Sequence, residues 1–157
     1  MDTDPNGLEV LTADECLDLL RRQSVGRIAI DTDALPVILP VNYIVLGDDI
    51  VIRTRRGTRL ADATRHSIVA FEVDDFDADT EAGWSVMVQG VAREVLDPLE
   101  LEEARAAVLA RWLDPDDSRH VSISMDVITG RRLPCPAVSR STNAPDSAKI
   151  ASLARDR

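Results

Sequence analysis

Residues 36–54 read PVILPVNYIVLGDDIVIRT. Two runs of apolar and β-branched residues, 36–46 and 49–54, meet at Gly47-Asp48-Asp49, a composition that marks a β-hairpin. Further short β-rich runs lie on both sides of this hairpin, with few and short helical patterns between them. That arrangement points to a mainly β, antiparallel barrel with peripheral helices. A parallel dinucleotide-binding fold is disfavoured, because the chain lacks both regular strand–helix alternation and a glycine fingerprint.

Immediately downstream, residues 52–66 read IRTRRGTRLADATRH, with Arg53, Arg55, Arg56, Arg59 and Arg65 set against one acid, Asp62. The whole chain has 18 Lys+Arg, 28 Asp+Glu and a formal net charge of −10. A concentrated cationic run in an acidic protein calls for an explanation. Gly57-Thr58 falls where a strand-like pattern gives way to a helix-like one. Loop amides, a hydroxyl and guanidinium forks placed together can hold a phosphate. Arg53 and Arg55 share a strand face and can converge on one anion, whereas Arg56 and Arg65 read as solvated. The plain alternative is a capped helix start with arginines in solvent. The acidic remainder would repel nucleic acid, so a small phosphorylated ligand fits better.

Working outward, residues 1–10 form a loose lead-in. Thr12-Ala13-Asp14-Glu15 is a capping box that starts a helix carrying Leu17 and Leu20 and ending near Gln23. Residues 26–30, GRIAI, read as a strand, 57–66 as a short helix and 67–73 as a strand. Residues 74–83 form an acidic loop, and 84–96 a long strand. Gly90, inside that strand, marks a bulge or a close backbone approach. Asp97-Pro98 opens a helix over 99–113, and a last strand covers 119–132. Residues 11–133 make one domain. The tail, 134–157, has three prolines and four cations against two acids and reads as disordered.

Apolar residues make up 45% of the chain but aromatics only 3%, so the core is aliphatic. Tyr43, Phe71, Phe76, Trp84 and Trp112 are the whole aromatic set. No apolar run suits a membrane span or signal peptide. Cys16 and Cys135 have neither metal-like nor disulfide-framework spacing, which implies reduced thiols and a cytoplasmic setting. Asp75, Asp77, Asp79 and Glu81 alternate as in a calcium loop but lack its sixth-position glycine and twelfth-position glutamate, so no metal is expected. His66 and His120 fit no catalytic pattern, and the catalytic residues stay unassigned.

The ordered series GRIAI, PVNYIV, DDIVIRTRRGTRLADA, IVAFEVDDFD, GWSVMVQGVAREV and VITGRRL resembles the pyridoxamine 5′-phosphate oxidase-like family, the FMN-binding split β-barrels. It is most similar to small actinobacterial-type members. The resemblance implies a homodimer with a flavin at the subunit interface and a small-molecule redox substrate, and neither a nucleic-acid nor a membrane partner. It puts the cofactor phosphate on Thr58 and Arg59, with Arg53 and Thr54 on the preceding strand. It sets Val41, Asn42 and Tyr43 beside the ring system, and Trp84 and Ser85 near the cofactor. Asn42 and Tyr43 could equally satisfy backbone groups, and Trp84 could be core. Arg131 and Arg132 stand near the end of the matching region without the longer C-terminal motif of the authentic oxidase, so that substrate is not implied. FMN is the expected cofactor, with a deazaflavin or heme as alternatives. A flavin-dependent oxidoreductase is expected, and a non-catalytic carrier or sensor is its rival.

Overall fold

A computed structural model describes residues 2–33, 35–106 and 118–133. The hairpin that opened the sequence reading is present: strand β3, Leu35–Leu46, pairs antiparallel with β4, Asp49–Arg55. Gly47 supplies the positive φ of 59° that the tight turn needs. The other strands are β1 (Glu9–Leu11), β2 (Val25–Thr32), β5 (Ser67–Asp77), β6 (Ala82–Glu94), β7 (Ser118–Ser124) and β8 (Val127–Leu133). Their order is β1-β8-β6-β5-β2-β3-β4-β7, and a further β6–β7 pairing closes six of them into a barrel. The antiparallel barrel expected from the sequence is therefore the fold.

Strand β6 is the member on which closure depends. One edge pairs with β5 from Ala82 to Ala92. The other edge is shared: Gly83 to Gln89 pair with β8, and Ala92 to Glu94 pair with β7. Gly90 sits at the division, and a Cβ built there would lie 1.7 Å from the Ser124 carbonyl oxygen. The close backbone approach expected at Gly90 is thus present. The single strand expected over 119–132 is two strands, broken at Met125-Asp126, because each half serves a different stretch of β6.

The core is aliphatic, as the composition implied. Ile28, Ile50, Ile52, Val86, Val88 and Ile123 are fully buried around Phe71 and Tyr43. The Tyr43 and Phe71 rings meet edge to face at 4.8 Å, and a Cβ on Gly26 would lie 2.3 Å from the Phe71 ring. Helix α1 (Ala13–Arg22) has the expected capping box: Thr12 N donates to Glu15 at 2.9 Å and Glu15 N to the Thr12 hydroxyl at 3.3 Å. It buries Cys16 and Leu20 against the barrel.

Two boundaries differ from the sequence expectation. The lead-in is tied down rather than loose: β1 pairs with β8, and Asp4 accepts from Arg131 at 3.1 Å and from the Leu8 amide at 3.0 Å. Periodicity could not show this, because it depends on a partner strand more than a hundred residues away. The acidic segment 74–83 is mostly a long β5–β6 hairpin whose tip alone is a turn. Arg27 offsets part of its charge by pairing with Asp74 and Glu72. Helix α3 spans Pro98–Ala106, and the rest of the expected 99–113 helix, with Trp112, lies outside the described residues. So do Cys135 and the tail, 134–157. Helix α3 rests on the barrel's outer surface through Ala104 against Val51. Arg93 ties it there by bridging Glu100 at 3.0 Å and Asp49 at 3.2 Å.

Candidate functional site

The barrel opens on one side. Pairing of β3 with β4 stops at Tyr43–Ile52. Strand β3 nevertheless continues beside β2 to Leu35, and β4 beside β7 to Arg55. A seam is left between the first part of β3 and the end of β4. Extending the register past Tyr43–Ile52 sets Asn42 level with Arg53 and Val41 level with Thr54. Helix α2 (Arg59–Ala63) starts just beyond. Seven of the nine candidate residues therefore flank one opening, although they come from two separate sequence blocks.

Their side chains differ in what they can do. Val41 is 8% and Tyr43 1% exposed, and both point into the core. Tyr43 donates its hydroxyl to the Leu20 carbonyl at 2.6 Å, and burial pushes its phenol up to about 12. Its side chain is a core strut, so only its backbone borders the seam. Asn42, on the opposite strand face, is half-buried. Thr54 is buried, with its hydroxyl 3.1 Å from that of Thr58. Thr58 caps α2: its hydroxyl accepts from Ala61 N at 3.2 Å and donates to the Arg55 carbonyl at 2.9 Å. The plain capping role is thus fully present, and that hydroxyl's donor is already engaged. Gly57, at φ 69°, lets the chain turn from β4 into this cap.

Arg53 and Arg59 supply the charge. Arg53 stands opposite His120 in the β4–β7 register. Arg59 is exposed and lines a cavity of about 320 Å³ with Asp31, Thr32, Asp33 and Asp62. Asp62 is partly offset by Arg65 at 3.4 Å. Trp84 and Ser85 do not join this group. They lie on β6, three strands from β3 across β5 and β2, where Trp84 pairs with Asp75 and Arg132, and Ser85 with Asp74 and Arg131. Trp84 is half-buried and packs on the core edge.

In the sequence His120 fits no catalytic pattern, yet it is 5% exposed beside Arg53. Only the β4–β7 pairing brings them together, and no local signal announces that pairing. Burial first, then the charges of Arg53 and Arg105, holds the His120 imidazole below its ordinary value. The unfolded chain binds this proton at about pH 6.5, and the folded protein only at lower pH. Its contribution to stability is therefore complete above the unfolded value and declines as pH falls toward the folded one. Denaturation midpoints should drop as pH falls through and below about 6.5, and His120→Gln should flatten that limb. An unchanged slope in the variant would assign the acid sensitivity to another group.

The fold and the seam together define an antiparallel split β-barrel with a polar, cation-flanked opening. The family model for pyridoxamine 5′-phosphate oxidase matches residues 12–132, and the chain belongs to that family. An uncharacterized protein of Mycobacterium tuberculosis, Rv0080, is 35% identical over 128 residues, covering 78% of this chain and 84% of that protein. Among solved structures, the FAD binding protein from Mycobacterium smegmatis is 40% identical with a TM-score of 0.72, covering 80% of this chain and all of that one (100%). A conserved protein of unknown function from Corynebacterium diphtheriae is 30% identical with a TM-score of 0.70, covering 83% of this chain and 100% of its own. No described helix is long and apolar enough to cross a membrane.

Proposed function

We propose that this protein is a flavin-dependent oxidoreductase, a homodimer that holds FMN in each seam. The observation that carries this reading is the seam itself. It is a gap in an otherwise closed barrel, edged by unpaired strand backbone, the Asn42 amide, two arginines and a helix start. A relative at 40% identity being a FAD binding protein supports a flavin. The residues present fit one. Arg59 and Arg53 meet the phosphate, Asn42 meets the amide edge of the ring, and Val41 backs the seam with apolar surface. When bound, the flavin supplies the hydride or electron transfer. The chain then needs to bind, orient and exclude water, and the site asks for no side-chain acid or base.

The dimer is supported by an apolar strip on the barrel's outer surface. Ile38, Ala29, Ala70, Gln89 and Val127 stand in register across β3, β2, β5, β6 and β8. Ile38, at its β3 end, is 66% exposed, and Ile68, two residues from Ala70 on β5, is 82% exposed. A two-fold contact through such a strip is isologous. It sets the β3 end of one protomer against the β6–β8 end of the other. Trp84 and Ser85 of the partner subunit would then complete the seam, which accounts for their distance from it within one chain. Asp31, Asp33 and Asp62 around Arg59 accommodate one phosphate and oppose a second, which favours FMN over the dinucleotide. The acidic body favours a small-molecule redox partner in a cytoplasmic setting over nucleic acid.

An absorption spectrum of the purified protein, with the released cofactor identified by mass, tests the ligand, and light scattering tests the dimer. Flavin absorbance, the mass of FMN and twice the chain mass are expected. Turnover with a reductant and an electron acceptor separates an enzyme from a carrier. A colourless protein that takes up neither FMN nor FAD would overturn the proposal, as would a heme or deazaflavin spectrum. A monomer would remove the interfacial site.

A further inference from the structure

The outer face of β7 carries a buried polar row, Ser118, His120 and Ser122, exposed by only 8%, 5% and 2%. The alternate residues, Val121 and Ile123, point into the core. Helix α3 rests on the row's side of the sheet, with Ala104 on Val51, the register partner of Ser122. The row is electrically divided. At the Ser122 end the Ser122 hydroxyl donates to Asp49, and Arg93 bridges Asp49 at 3.2 Å and Glu100 at 3.0 Å. Glu103 lines the same end. At the His120 end the charges that act among the described residues are both cations, Arg53 from β4 and Arg105 from α3. Arg55 follows one register pair further on, opposite Ser118. Arg119, next along β7, turns to the other face and pairs with Glu94 at 3.2 Å. Just past β6, the Val95 amide donates to the His120 carbonyl at 2.9 Å and adds no charge. Burial and two guanidiniums therefore oppose a proton on this imidazole.

Arg53 joins the row to the seam. Cross-strand partners share a sheet face, so Arg53 stands beside His120 on one side and level with Asn42 across the gap on the other. An anion held by Arg53 would bring negative charge to a place where the described neighbours are cations. The seam has use for the proton that such a charge would favour. A phosphate monoester carries about −1.5 to −2 near pH 7, its second proton leaving near pH 6. Arg53 and Arg59 meet it, but Asp31, Asp33 and Asp62 crowd Arg59, and Arg65 offsets only Asp62, at 3.4 Å. The site is thus short of positive charge for a dianion. A proton on His120 would make up part of the deficit.

We propose that His120 is a proton-linked member of the phosphate site, taking up a proton from solvent when Arg53 engages the cofactor phosphate. The inference rests on the flavin reading above and adds to it a residue from β7 and a proton. Linkage is reciprocal. If the phosphate favours the imidazolium, the imidazolium favours FMN by the same factor. Riboflavin, which has no phosphate, is held equally by both forms. FMN affinity would then rise as pH falls from about 8 to about 6.5, above the range where the phosphate itself takes up a proton.

His66 and His120 are the only two histidines of the chain, so NMR titration of the full-length protein follows two imidazoles, which His66→Gln assigns. FMN should raise the midpoint of His120, and riboflavin should leave it in place. FMN affinity should increase by about five- to tenfold across that pH range, the size of effect a nearby charge has on a titrating group. His120→Gln should abolish the increase, and calorimetry in buffers of different ionisation enthalpy should find fewer protons taken up with FMN than in the parent. The parent titration needs no substitution of His120, so it decides the matter even where that variant fails to fold. If both flavins bind but FMN leaves the His120 midpoint where riboflavin does, or His120→Gln keeps the parent's proton uptake, the linkage fails while the seam reading stands. If neither flavin binds the parent protein, both readings fail together.

Discussion

Gly90→Ala is expected to cost about 3 kcal/mol or more, at or beyond the upper end of overpacking. The ideal Cβ falls 1.7 Å from the Ser124 carbonyl oxygen, 2.7 Å from its carbon and 2.8 Å from its hydroxyl. Two of these three atoms are backbone, so no rotamer change relieves the contact. Ser124 cannot retreat freely either, because its hydroxyl accepts from Val91 N at 2.9 Å. Moving β7 outward would strip its pairing from β6 between Ala92 and Glu94, the contact that closes the barrel. Gly57→Ala provides the comparison. Gly57 has a positive φ of 69° but open space where its Cβ would lie, so its cost is conformational, about 1 kcal/mol. Chemical denaturation of both variants should separate them by about 2 kcal/mol. Equal midpoints would mean that β6 and β7 can part without penalty and that the barrel is not closed there.

The Gly90 case shows what the sequence can and cannot disclose. A glycine inside an apolar, β-branched run announces a close approach, but not what approaches. The hairpin at Gly47, the Thr12 capping box and the mainly β class are all local patterns, and each was legible. The docking of β1 on β8 and the sharing of β6 between β7 and β8 are long-range pairings, which leave no mark on local periodicity. The same division runs through the site. Strand alternation alone would have turned the Tyr43 side chain inward and that of Asn42 outward, but the Tyr43 hydroxyl's partner, Leu20, comes from another element. Thr58 carried two readings in one residue, cap and phosphate ligand. The structure fills the first, which transfers the weight of the second to Arg59 and to backbone amides. Trp84 and Ser85 stand on β6, three strands from β3 within one chain, and only the proposed dimer would bring them to the seam.

Arg59→Ala is expected to weaken FMN binding by about 1.5–3 kcal/mol, the range for a charge-assisted hydrogen bond, or roughly ten- to a hundredfold. Riboflavin, which has the ring and ribityl chain but no phosphate, should be affected far less. Thr58→Val should cost FMN less than Arg59→Ala does, because the Thr58 hydroxyl already donates to the Arg55 carbonyl. It should instead destabilise the start of α2 by about 1 kcal/mol through loss of the cap. The two ligands together separate three explanations. A general folding defect would lower both affinities equally. A flavin bound in the reverse direction would leave Arg59 near the ring and also lower both. A phosphate held by Arg59 lowers only FMN. The carboxylates of Asp31, Asp33 and Asp62 sharpen the expectation, because they share the Arg59 cavity. With that guanidinium gone, Arg53 alone would offset the acids around the phosphate, so the loss should grow as ionic strength falls. If titration finds Arg59→Ala binding FMN as the parent does at low salt, the arginine run is a solvated helix start, and the seam has lost the charge on which its reading as a flavin phosphate site depends.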